Sequence, residues 1–266
     1  MTVVGVIVFL FGLVIGSFTN VLIYRIPLKK SIVYPPSACI SCGKGLIAPD
    51  LVPVFSYIFL KGRCRHCGAS VSGRYPLVEL LTALIFTALF IKYGITVPFL
   101  AFAFLMTILI AVFFIDLDHR IIPNGLVIAG IIGGLLVLVF NIFSPIIAVY
   151  GDSKWWTPVV GFFSGSGFLL LVAIIGGLIY KSDDAMGIGD VKLMAPVGLF
   201  LGWKLCLAGL FLAVLIGGVT SLFLMITGVK KRKDAIPFGP FLVTGAFIAV
   251  MWGWDLLNWY IGTSGL

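Results

Sequence analysis

The sequence predicts an all-α polytopic membrane protein of about eight transmembrane helices, with a small zinc-binding cytoplasmic module between helices one and two. Three observations predict it. Of the 266 residues, 61% are hydrophobic and 11% are charged, whereas a soluble domain is about 25% charged. Apolar runs near 20 residues recur along the chain, the length that crosses a hydrocarbon layer of about 30 Å. The hydrophobicity collapses once, over residues 25–76, and four of the five cysteines fall there. The formal net charge of +8 would suggest nucleic acid in a soluble protein. Here the basic residues read as topology signals, and the expected surroundings are a lipid bilayer with no nucleic-acid partner.

The first span is expected at 3–24. It has neither a basic leading region nor a small-residue cleavage site and reads as a retained helix. Gly12, Gly16 and Ser17 place small residues on one face, suited to close packing in lipid, and Asn20 should bond to a neighbouring helix. The interruption at 25–76 contains six prolines and eight Lys or Arg residues. A module with so little apolar mass usually needs a metal or disulfides. Cys39 and Cys42 form one CxxC pair, Cys64 and Cys67 another, with 21 residues between the pairs. Two such knuckles complete a tetrahedral thiolate site, and in a reducing cytosol they favour structural zinc. An iron–sulfur cluster or a redox dithiol pair is the alternative. His66 reads as a solvated loop residue, and Cys206, alone in an apolar run, as a core residue.

Further spans are expected at 77–93, 97–115, 123–143, 158–180, 191–201, 205–227 and 238–260, the sixth being short enough to tilt or re-enter. Trp155 and Trp156 suit an interfacial belt between spans four and five. Eight spans put both termini on one side. The loop 25–76, Arg120, Lys181, Lys192 and the basic block 230–233 hold 15 of the 18 Lys and Arg residues. That bias makes this side cytoplasmic. The expected organisation is a first helix at 1–24, the cysteine module at 25–76 and a transmembrane core at 77–266.

Two aspartates stand where apolar runs meet the membrane edge. Asp116 closes span three, and Asp190 follows Gly187-Ile188-Gly189. A charge within a span costs about 2.5 to 3.5 kcal/mol on insertion scales, so it marks a functional site whose partner should be sought. Two facing carboxylates cannot both ionise easily; one then serves as base on a water and the other as acid to a peptide carbonyl. Gly187 and Gly189 would let an extended peptide approach Asp190. The structural alternative is that each aspartate caps a helix or meets a lysine. Asp118 and His119 are weaker candidates near water, Asp183 and Asp184 suit a wet loop, and Asp255 suits the outer interface beside Trp252, Trp254 and Trp259.

The ordered set of motifs resembles the bifunctional type IV prepilin peptidases, the leader peptidase/N-methyltransferases. The set comprises Gly16-Ser17-Phe18-Thr19-Asn20-Val21, the paired CxxC loop and Ser72-Gly73-Arg74-Tyr75-Pro76-Leu77-Val78-Glu79. Asp116 then lies seven residues before Pro123-Asn124. Gly187-Ile188-Gly189-Asp190-Val191-Lys192 and Ile236-Pro237-Phe238-Gly239-Pro240 complete it. The resemblance implies a bacterial inner-membrane GxGD aspartyl protease with Asp116 and Asp190 as its catalytic pair. Such an enzyme cuts prepilins and pseudopilins after the glycine that ends a basic leader. It then methylates the new N-terminal amine with S-adenosylmethionine, an activity associated with the cysteine loop. One departure is that Ile40-Ser41 fills the first CxxC, where a proline often stands. No strand, glycine-rich turn and helix appear in series, so a Rossmann-type site for the methyl donor is not supported. Gly62, Arg63 and Glu79 flank the knuckles at the membrane surface and are the candidate donor-binding residues. The competing readings are a transporter, which would carry charges near the bilayer midplane, and a non-enzymatic scaffold that binds pilin precursors through the module.

Overall fold

The computed structural model describes residues 2–180, 187–229, 231 and 236–264. Asp183, Asp184 and Lys181, with Lys230, Arg232 and Lys233 of the basic block, lie outside the described residues. Among those described the architecture is helical: α1 (Thr2–Arg25), α2 (Phe55–Phe59), α3 (Arg74–Tyr93), α4 (Val97–His119), α5 (Asn124–Phe143), α6 (Ile147–Tyr150), α7 (Thr157–Tyr180), α8 (Ile188–Ile226) and α9 (Gly239–Ser264). Seven of these helices are long and apolar enough to cross a membrane. The chain forms two compact units. One runs to Phe99 and includes Met106–Ala111, and the other comprises Leu100–Leu105 and the chain from Val112 onward.

In the first unit α1 and α3 run antiparallel in close register. A Cβ added at Gly12 would lie 2.6 Å from the Cα of Ala83, and one at Gly16 would lie 2.6 Å from the Cα of Glu79. One turn further on, Asn20 Nδ2 donates to the Tyr75 carbonyl at 3.0 Å. Small residues every fourth position thus let two backbones touch, which is how helices associate where lipid removes the hydrophobic drive. The polar Asn20 is satisfied by the neighbouring helix, as its burial in hydrocarbon requires.

The second unit is organised around α8, which packs against α5, α7 and α9. Its 39 residues are broken at Gly202, with φ 72° and ψ 169°. The chain turns back there. A Cβ at Gly165 would meet both Cys206 Sγ (2.6 Å) and the Met194 carbonyl oxygen (3.2 Å). In a straight helix residues 194 and 206 would lie about 18 Å apart. The expected sixth and seventh spans are therefore the two arms of a helical hairpin, 188–201 and 203–226. The first arm is about 21 Å long, shorter than a full crossing, and every residue of 193–201 is buried. A helix apolar on all sides belongs inside protein, and this arm is the core of the unit. Cys206 is buried within it, as expected of a lone apolar cysteine.

Gly202 has a backbone conformation open essentially to glycine alone, and a Cβ there would sit 2.8 Å from the Tyr150 ring. Tyr150, on the short α6 that interrupts the expected linker, donates its hydroxyl to the Leu199 carbonyl at 3.0 Å and so braces the turn. Gly202→Ala is expected to cost about 1–3 kcal/mol from the backbone alone. A lowered thermal midpoint in detergent checks it; an unchanged midpoint would remove the turn's importance.

Candidate active site

Asp116 lies in the last turn of α4, and Asp190 in the first turn of α8. Both carboxylates are enclosed, with 6% and 9% of the residue exposed. Gly189, next to Asp190, packs against Ile122 beyond the end of α4, and Asp116 lies near enough to bear electrostatically on Asp190, although the two acids are 74 positions apart in the sequence. The Arg120 guanidinium also bears on Asp116. Arg120, with φ 54°, ends α4 in the left-handed region, and its N–H donates to the Asp116 carbonyl at 2.9 Å. Asp118 and His119, one turn on or less, are exposed.

Each carboxylate is crowded by a glycine. The Gly239 N–H, at the start of α9, donates to Asp116 Oδ2 at 3.1 Å. A Cβ at Gly239 would lie 2.6 Å from that oxygen, and one at Gly187 would lie 2.9 Å from Asp190 Oδ2. A Cβ at Gly189 would meet Ile122 at 3.1 Å. Sequence reasoning assigns Gly187 and Gly189 to making room for a peptide. In the fold a Cβ at either glycine would meet the protein itself. Gly187 leaves space for the Asp190 carboxylate, and Gly189 leaves space for the α4–α5 corner. Lys192 Nζ donates to Asn124 Oδ1 at 3.2 Å and ties that corner to α8. The sequence offers no local sign of a partner for Asp116 on α9. The only signal was the Ile236–Pro240 motif, which gave no hint that its glycine N–H would reach a carboxylate 123 positions away. If Asp116 carries the expected peptide cleavage, Gly239→Ala lowers it about 100-fold with the helices intact, since displacement of a catalytic group by about an ångström costs that much. Normal cleavage by this variant would separate Gly239 from the chemistry.

The four cysteines gather in the first unit. Their Sγ atoms all lie within 4.8 Å of one another, and Cys39 and Cys67 are 3.9 Å apart. A tetrahedron with metal–sulfur bonds of about 2.3 Å has edges of about 3.8 Å, so this donor set fits zinc. The two knuckles repeat one another. Cys39 N–H donates to Lys44 O and Gly43 N–H to Cys39 O, at 2.9 Å each. In the second knuckle Cys64 N–H donates to Ala69 O at 2.8 Å, and Gly68 N–H to Cys64 O at 3.0 Å. Gly43 and Gly68 both have φ 71°, the left-handed value that closes each turn. N–H groups of Cys42 and Ser41 bring the Cys39 thiol down to about 6, while, against the Ala69 N–H, desolvation and the neighbouring sulfurs push Cys67 up to about 11, so the crowded thiols ionise together only with a cation among them. The Arg65 guanidinium holds the Asp50 carboxyl below its ordinary range through a 2.7 Å ion pair.

The three candidate donor-binding residues lie in this unit too. Gly62 has φ 66°, and a Cβ on it would lie 2.9 Å from the Tyr57 hydroxyl. Arg63 is exposed. Glu79 is buried, its Oε2 accepts the Val54 N–H at 2.7 Å, and its backbone lies against Gly16 of α1. Glu79 therefore joins α1, α3 and the module, whatever else it binds.

Comparison with known proteins gives these two units a common context. Residues 10–93 match the Bacterial Peptidase A24 N-terminal domain, and residues 103–222 match the Type IV leader peptidase family. The chain is 34% identical over 283 residues to the prepilin leader peptidase/N-methyltransferase of Aeromonas salmonicida (strain A449), covering 97% of this chain and 94% of that protein. The chain belongs to the type IV leader peptidase family. Members carrying the same name from Bacillus subtilis (strain 168) and Legionella pneumophila are each 32% identical. The alignments cover 96% of this chain in both cases, with 97% and 94% of the respective relatives. No solved structure matches the chain. Family membership and the seven apolar helices make it a multi-pass membrane protein.

Proposed function

We propose that the protein cleaves the basic leader of type IV prepilins and pseudopilins after a glycine and then N-methylates the new terminal residue. Asp116 and Asp190 are the catalytic residues in this reading. The observation that supports it is the meeting of these two enclosed carboxylates in one unit, at the ends of α4 and α8. One carboxylate takes a proton from a water as its oxygen attacks the scissile carbonyl, and the other gives a proton to the carbonyl oxygen. Collapse of the tetrahedral species breaks the C–N bond, and the amine leaves with a proton from the dyad. The Gly239 N–H fixes one oxygen of Asp116, so the attacking geometry is set before substrate arrives.

The methyl donor is S-adenosylmethionine, whose sulfonium supplies an electrophilic methyl group. Glu79 offers a buried carboxyl group, Arg63 an exposed cation and Gly62 a turn without a side chain. These chemistries suit a ligand that carries a cation, a carboxylate and an amine. Structural zinc on Cys39, Cys42, Cys64 and Cys67 would hold the knuckles that present Gly62 and Arg63. In this reading the module at 25–76, with Glu79 of the adjoining α3, serves methyl transfer, and the remainder of 77–266 serves hydrolysis; in packing terms α1 and α3 belong with the module.

The location in this reading is the bacterial inner membrane, with the zinc module and the dyad facing the cytoplasm. A cysteine introduced at Ser153 should react with an impermeant thiol reagent on whole cells, and one at Ser41 should not; the reverse pattern would invert the orientation. The activity itself is tested by mixing detergent-purified protein with a prepilin and weighing the product. The expected result is a mass loss equal to the leader, and one added methyl only when the donor is supplied. An unchanged prepilin would leave a scaffold role in its place.

A further inference from the structure

Helix α2 carries an apolar face that the protein does not cover. Phe55, Ile58 and Phe59 fall at helical spacing on one side, and Ile58 and Phe59 are 62% and 81% exposed. The opposite side holds Tyr57, whose hydroxyl would contact Cβ atoms added at Gly62 and Gly73. The exposed face is therefore a fixed surface, because its reverse is packed. Such residues are out of place on a polar module surrounded by water.

Their position is set by Glu79. The residue stands five positions inside α3, which begins at Arg74, about 7.5 Å along the helix axis. Its side chain leans back toward the helix start and accepts the Val54 N–H at 2.7 Å. Val54 immediately precedes α2 and has φ 62°, a conformation rare for a β-branched residue. The neighbouring α1 ends at Arg25 and packs Gly16 against Glu79. Both helices are long and apolar enough to span a membrane, and the headgroup layer on each side of a bilayer is about 5–7 Å thick. With Arg74 at the outer edge of that layer, the Glu79 tether places the start of α2 within it. Basic residues follow directly at Lys61 and Arg63. Asp50 is the only carboxylate in 26–73, and Arg65 already pairs with it. An apolar face rimmed by uncompensated cations fits an anionic bilayer surface.

We propose that α2 is a membrane-surface anchor, with Phe55, Ile58 and Phe59 inserted at the headgroup–acyl boundary and Lys61 on anionic headgroups. The zinc module is then held flat against the membrane instead of hanging from two linkers. The apolar face itself holds none of the residues assigned to either proposed catalytic site; its reverse, through Tyr57, packs on Gly62 of the proposed donor site.

The test uses the full-length, zinc-loaded protein in nanodiscs of phosphatidylethanolamine and phosphatidylglycerol, with or without bromine on the upper acyl carbons. The F59W variant adds one indole to the six native tryptophans, and its signal is the difference from the parent. Emission of the added indole should fall about twofold or more with brominated lipid and should resist aqueous iodide. Quenching by iodide without an effect of bromine overturns the proposal. So does an indole that iodide reaches until a peptide matching the apolar N-terminal segment of a pilin is added, which would assign the face to substrate. I58W carries the same readout on the same face if F59W does not fold.

Discussion

Asp116→Asn and Asp190→Asn are each expected to reduce prepilin cleavage on the order of 10³-fold or more while the protein remains folded in detergent. Asparagine keeps the shape of the side chain and can still accept the Gly239 N–H that reaches Asp116 Oδ2 at 3.1 Å. It cannot take a proton from water or return one to a leaving amine. If the carboxylates act as a unit, the double variant is no worse than either single one. Asp118→Asn should keep most of its activity, since Asp118 is exposed two residues beyond the enclosed Asp116. A working dyad also gives a bell-shaped rate profile whose two apparent constants belong to the pair. Methylation of a pilin already cut should survive both changes. Cleavage by mass spectrometry, with a melting curve on each variant, decides the matter. Normal cutting by Asp116→Asn with a dead Asp118→Asn would move the role by two residues, and activity in all three would end the aspartyl mechanism.

Loss of zinc is expected to have the next largest effect. Purified protein should carry about one zinc per chain, and Cys39→Ser or Cys64→Ser should lose it. A structural zinc in a small module contributes on the order of 10 kcal/mol of apparent folding free energy at neutral pH. The two knuckles themselves rest on short turns and isolated backbone bridges at Ala38–Gly45 and Arg63–Ser70, while the Glu79 tether and the Arg65–Asp50 pair hold other parts of the module. Without the metal the turn at Gly62 loses its support, and with it the surface that presents Arg63. Methylation should therefore fall to background. Peptide cleavage should fall much less, because Asp116 and Asp190 belong to the other compact unit. Elemental analysis and the two assays run side by side are the check. An iron chromophore, or full methylation by metal-free Cys64→Ser protein, would overturn the assignment.

Most of the helices were legible in the sequence because each membrane span must satisfy its own backbone. Local hydrophobicity then locates it without knowledge of its neighbours. The expected 97–115 span appears as α4, which continues through Asp116 to His119, and the expected 158–180 span appears as α7. The cysteine cluster was legible for a related reason. A CxxC turn fixes two ligands locally, so only the meeting of two knuckles remained to be found. The candidate pair of aspartates could be named because charge is expensive at a membrane edge.

What the sequence alone did not decide depends on backbones touching. Nothing local announces that Gly202 folds α8 back on itself so that Met194 and Cys206 both lie against Gly165. Nothing local announces that Gly187 makes space for Asp190, or that the Gly239 N–H reaches Asp116. In each case the missing side chain is read as flexibility or as room for a ligand until the neighbour is seen. The tether from Glu79 to Val54 has the same character. Composition and hydrophobic length determined which segments are buried. Close packing of small residues, which lipid does not supply and only the assembled chain provides, decided what each buried group meets.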